Sequence, residues 1–130
     1  MEDRAGRLIN HTLFTAELLG ISEDVLWRLE AIWAVPEEIM RALDDEDAAA
    51  LATLCGDVET ALASALDADG VARGELGSRL VRSDLVGIDS RGRPYVRAYR
   101  MVLSDLRHHL VEFREFLAFA AAHRLWLLVE

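Results

Sequence analysis

Between Asp44 and Leu66 the chain places Leu51, Leu54, Cys55, Val58, Leu62, Ala65 and Leu66 three and four residues apart. That spacing returns to one side of a 3.6-residue helix and does not suit a strand, whose side chains change face at every residue. The same rhythm recurs at Leu8, Ile9, Thr12, Leu13, Ala16 and Leu19, and again at Val25, Leu26, Leu29, Ile32 and Trp33. It returns a last time at Tyr99, Val102, Leu103, Leu106, Leu110, Phe113, Phe116, Leu117 and Ala120. Such faces must be buried against one another, so the pattern predicts a mainly α fold: a single-domain helical bundle of about four main helices over residues 1–130.

Breakers and caps set the boundaries. A first helix over residues 4–19 stops at Gly20, which suits the left-handed position after a helix. Ser22 caps the second, with Glu23 and Asp24 where the helix dipole favours anions, and that helix runs to about Ala34. Val35-Pro36 breaks it, and Pro36 opens a short third helix to Leu43 with Glu37 and Glu38 in its first turn. Asp44, Asp45, Glu46 and Asp47 cap and start the fourth, in which Gly56 marks a close helix crossing.

Asp67-Ala-Asp-Gly70 closes that helix, and Glu75 to Arg82 reads as a short one. Leu85 to Ile88, the turn Asp89-Ser-Arg-Gly92, and Arg93 to Tyr99 predict a short β-hairpin near residues 85–98. Helical spacing resumes from about Pro94 and continues to His123, overlapping the second arm of the hairpin. The tail Leu125-Trp-Leu-Leu-Val129 is apolar, so it must dock on its own core or on another chain.

Composition narrows the class. At 52% apolar and 28% charged the chain can bury a core and is wrong for a disordered segment. Its single cysteine, Cys55, excludes an internal disulfide and sits where a buried, reduced thiol is expected. The start Met1-Glu2-Asp3-Arg4 does not read as a signal peptide, and Phe116 to Val129 is too short and too interrupted to span a bilayer. A cytoplasmic location and no membrane association are expected.

All 14 basic residues are Arg, and Gln is absent too, a bias that follows codon composition in a GC-rich genome better than adaptation to salt. The net charge of −9 is divided unevenly: residues 1–70 carry −12 and residues 71–130 carry +3. Either the two halves complement each other or the second presents a basic face to an anionic partner.

Candidate chemistry is sparse. His11, His108 and Glu112 could contribute to a carboxylate–histidine metal site, but neither Glu-x-x-His nor His-Glu-x-x-His occurs. Asp67-Ala-Asp69-Gly70 has the centre of a calcium loop, yet the first and last ligand positions of that register are Ala65 and Leu76. No nucleophile elbow, phosphate loop or dinucleotide fingerprint is present, so no cofactor is expected and the chain leans away from enzymes.

Two binding readings remain. Arg91, Arg93, Arg97 and Arg100, within a run of eight arginines from Arg73 to Arg107, form a nucleic-acid candidate resembling a winged arrangement of short helix and hairpin. The favoured reading is a non-catalytic acidic interaction module, of the inhibitor, immunity, antitoxin or chaperone kind. It would bind a protein partner of basic character through Trp27, Trp33, Glu37, Glu38, Asp44, Asp45, Asp47 and Trp126. Homo-oligomerisation through the apolar C-terminal segment is expected as well.

Overall fold

The computed structural model describes residues 4–21, 23–33 and 41–129. Along them lie α1 (Arg4–Leu19), α2 (Glu23–Trp33), β1 (Arg41–Leu43), α3 (Asp45–Ala65) and α4 (Gly74–Arg82). β2 (Val86–Ile88), β3 (Pro94–Val96), α5 (Leu103–Ala122) and β4 (Leu127–Val129) complete the order. The chain is mainly helical and carries the short hairpin, in agreement with the sequence reading.

α3 is the element on which the others are assembled. It packs against each of the other four described helices, most extensively α5. Its predicted stripe is wholly buried: Leu51, Leu54, Cys55, Val58, Leu62, Ala65 and the capping Leu66. Each leucine removed from water in this way contributes about 1.5–3 kcal/mol. The Asp44 carboxylate caps the helix, accepting from the Asp47 N–H at 2.8 Å, so the start of α3 is built as its acidic run implies. Across from it, Leu103, Leu106, Leu110, Leu117 and Ala120 form the buried side of α5.

α4 meets the end of α3 at Gly77, where backbone lies against backbone. A Cβ on Gly77 would sit 2.6 Å from the Ala65 carbonyl oxygen, which has little freedom to withdraw. Gly77→Ala is therefore expected to lower the unfolding free energy by about 1–3 kcal/mol, through a shift of α4 and the hairpin it leads into. Urea unfolding of the variant checks this; an unchanged midpoint would show that the α3–α4 contact yields freely.

Two turns of the same construction flank α4. The Asp67 carboxylate accepts from the N–H groups of Asp69 and Val71 at 2.9 and 3.0 Å, and that of Asp89 from Arg91 and Arg93 at 2.9 Å each. In each the glycine three residues on, Gly70 or Gly92, takes a positive φ and donates back to the aspartate carbonyl. The calcium-like spacing at Asp67 is thus a self-capped turn. The second turn joins β2 to β3 in the register Val86↔Val96, Gly87↔Tyr95, Ile88↔Pro94.

The structure corrects two boundaries. Of the expected helix Pro36 to Leu43, residues 36–40 lie outside the described residues, and Arg41–Leu43 is a strand paired antiparallel with β4. A helix that short is weak in isolation, and the apolar tail offers residues 41–43 backbone partners instead. The last helix begins at Leu103 rather than near Pro94. Pro94–Val96 belongs to the hairpin, and residues 97–102 form a connection in which Tyr99 donates to the Val96 carbonyl and Tyr95 bridges to Val102.

α1 and α5 end in one motif with different residues at its critical position. After α1, Gly20 donates to Glu17 and Ile21 to Ala16; after α5, Arg124 donates to Ala121 and Leu125 to Ala120. This paired bonding places the first residue of each pair in the left-handed region. Gly20 has φ +67° and Arg124 has φ 54°. A side chain in that conformation costs about 1–2 kcal/mol. Arg124→Gly is expected to stabilise the protein by about 1 kcal/mol, read as a higher Tm; a lower Tm would contradict the assignment.

Candidate interaction surface

The left-handed turn at Arg124 reverses the chain at the end of α5 and delivers Leu125 and Trp126 to the surface before β4 begins. Three residues apart on the last turns of α5, Phe116 and Phe119 are 53% and 55% exposed, while Leu125 is 47% and Trp126 68% exposed. The aromatic side chains here are in register with neighbours: Phe113 stacks with Phe116 at 6.5 Å and Phe119 with His123 at 4.1 Å. Glu112 and Glu115 are exposed on the same stretch of helix. Single exposed apolar residues are ordinary, whereas four large ones within residues 116–126 are a concentration worth testing as a binding surface.

Trp27 lies on α2 and is 78% exposed, as its position off the helix stripe suggests. The acidic run beside it is largely committed to the fold. Asp44 caps α3, and Asp47 takes two hydrogen bonds from Arg28 of α2, from Nη2 at 2.8 Å and Nε at 3.1 Å. Glu46 stands 3.6 Å from the same guanidinium and is largely exposed, and Asp45 is half-buried in the first turn. These carboxylates join α2 to α3 more than they present a free acidic face. The Trp33 side chain, Glu37 and Glu38 lie outside the described residues.

The arginine candidates are spread over separate tasks. Arg93 pairs with Asp89 at 2.9 Å, and the backbone N–H of Arg93 is the main influence holding the Asp89 carboxyl below its usual range. Arg97 donates to the Asp84 carbonyl at 3.1 Å, while Arg91 and Arg100 are exposed. Arg107 reaches Glu59 at 3.3 Å, an ion pair between the acidic and basic halves of the chain.

The three metal candidates are not assembled into a site. His108 and Glu112 are exposed on α5, whereas His11 is buried on α1, its ring stacked on Tyr99 at 4.5 Å with an 11° tilt. Among the described residues no group of three or more His, Cys, Asp or Glu is placed to hold an ion. Burial pushes the His11 pKa down to about 4, with the Arg7 charge acting in the same direction. Burial likewise pushes the Cys55 thiol up to about 12, so it is a core side chain and a poor nucleophile.

Phe119 escaped the sequence reading, and Phe116 was assigned to the buried stripe. The buried arc of α5 is centred on Leu106, Leu110 and Leu117. At 100° per residue Phe116 falls a quarter-turn from Leu117 and Phe119 further still, so the helical angle held the signal that apolarity alone obscured. Compared with protein families, curated proteins and solved structures, the chain matches none. No helix among the described residues is long and apolar enough to cross a membrane.

Proposed function

We propose that this protein is a non-catalytic interaction module that binds another protein through the aromatic surface of Phe116, Phe119, Leu125 and Trp126. The observation that carries this reading is their joint exposure at the α5–β4 connection, where the helix fixes one end and the β1–β4 pairing the other. A large aromatic side chain held at both ends of its segment loses little further entropy on binding, which favours it as an energetic anchor. Glu112 and Glu115 beside it suit a partner with an apolar centre and a basic rim. Trp27, 78% exposed, extends the reading to α2.

The test compares three baits in the source lysate: the wild-type chain, Phe119→Ser/Trp126→Ser, and Trp27→Ser. A specific protein retained by the wild type and lost from the double variant supports the reading; identical capture by both rejects it. The same surface could join two copies of this chain, and a monomer mass by light scattering at high concentration rejects that version. The arginine segment supports a nucleic-acid partner less well, since Arg93 and Arg97 are engaged within the hairpin region.

A further inference from the structure

α5 buries one arc of its surface and leaves a second, ordered stripe exposed. Glu112, Phe116, Phe119 and the C-capping His123 follow one another at steps of four, three and four residues, and all four are exposed. Steps of three and four gather side chains along one line of a helix, and their alternation is the rhythm of a seam between two helices. The rings of this stripe have fixed neighbours. Phe116 stacks on the half-buried Phe113, and Phe119 on His123 with a 24° tilt between the planes.

Charge is distributed along the stripe in one direction. Glu112 stands at its start with the exposed Glu115 at its edge, and His123 at its end is followed by the exposed Arg124. Arg114, between them in the chain, lies instead against α3: its Cδ and Nη1 are 3.4 Å from where a Cβ on Gly56 would stand. The stripe is therefore acidic at one end, aromatic in the middle and rich in N–H donors at the other. Such an order is complementary to its own reverse.

We propose that this stripe joins two copies of the chain, α5 against α5 and antiparallel, about a two-fold axis passing between Phe116 and Phe119. The proposal rests on the reading of this surface as a protein-binding one and names its partner. In that register Phe116 meets the partner's Phe119, and Glu112 faces the partner's His123, each contact occurring twice by symmetry. An imidazole N–H donates to a carboxylate whether the ring is neutral or charged. Glu115 falls beside the partner's Ala122 and meets no like charge. A parallel pair would also join the phenyl rings, but it would set Glu112 against the partner's Glu112 and Arg124 near the partner's Arg124. Charge thus selects the antiparallel pair. A contact built on one helix face is small, which places the association among weak dimers.

The experiment follows the purified full chain by sedimentation equilibrium from about 10 μM to about 1 mM, the range in which small interfaces associate. The wild type is expected to dimerise. Phe119→Ser and Glu112→Arg are each expected to weaken the dimer tenfold or more, the first by removing an aromatic contact, the second by setting a guanidinium against the partner's His123 and Arg124. Glu112→Arg/His123→Glu restores opposite charges across the axis and is expected to recover most of the second loss. These positions are exposed, and circular dichroism checks that each variant is folded. A wild type that stays monomeric at the highest concentration overturns the proposal. So does a dimer unaffected by Phe119→Ser, or a double variant no tighter than Glu112→Arg. A monomeric wild type that still retains a foreign protein from lysate, lost in Phe119→Ser/Trp126→Ser, overturns the self-pairing alone and leaves the interaction module standing.

Discussion

Truncation of Leu110 to alanine is expected to cost about 3 kcal/mol of unfolding free energy, and truncation of Phe116 on the same helix less than about 0.5 kcal/mol. Leu110 is fully buried on α5, the helix most extensively packed on α3, where a cavity has no easy way to collapse. Phe116 has about half its surface in water and gives up little packing. The first loss is a large fraction of the about 5–15 kcal/mol that holds a domain together. Urea unfolding of the two variants side by side decides the matter. Equal costs would mean that Phe116 is core and would remove one anchor from the proposed surface.

Acidification should reveal a second large effect, carried by His11. In the folded chain its pKa is about 4, against 6.5 when unperturbed. The unfolded chain therefore takes up the proton first as the pH falls. The neutral, buried imidazole contributes fully above about pH 6.5, and its contribution is lost between about pH 6.5 and 4. That shift corresponds to roughly 3 kcal/mol between pH 8 and pH 4. His11→Phe keeps a ring against Tyr99 and removes the titration. Wild type is expected to lose roughly 3 kcal/mol more than His11→Phe over that interval, with the carboxylates common to both cancelling. Parallel losses would show that the imidazole takes up its proton in the folded state.

What the sequence disclosed was set by locality. The ends of α1, the cap of α3 at Asp44 and the Asp89–Gly92 turn each depend on bonds within a few residues, and all were legible. β1 was not, because Arg41–Leu43 becomes a strand only by meeting Leu127–Val129, a partner that no local pattern announces. Phe116 was misplaced for a related reason. Apolarity marks which residues prefer burial, but only the docking of α5 on α3 decides which arc of the helix receives it.

The candidate sites divide the same way. Trp27 stood apart from its stripe and is exposed, whereas Asp47 looked like a docking charge until the fold placed Arg28 against it. The His11–Tyr99 stack joins α1 to the connection before α5. Neither residue carries a sign in the sequence that the other is near.

The pairing of β1 with β4 has a consequence for the order in which the protein assembles. It joins the segments either side of α3, α4, the hairpin and α5, so residues 44–126 form a loop closed by two three-residue strands. Closing so long a loop yields little until its contents are compact, and a two-stranded pair of that length is marginal alone. The clasp therefore closes late in folding and opens first under native conditions. Its amide hydrogens should exchange with solvent well before those of α3, at a free energy far below that of global unfolding.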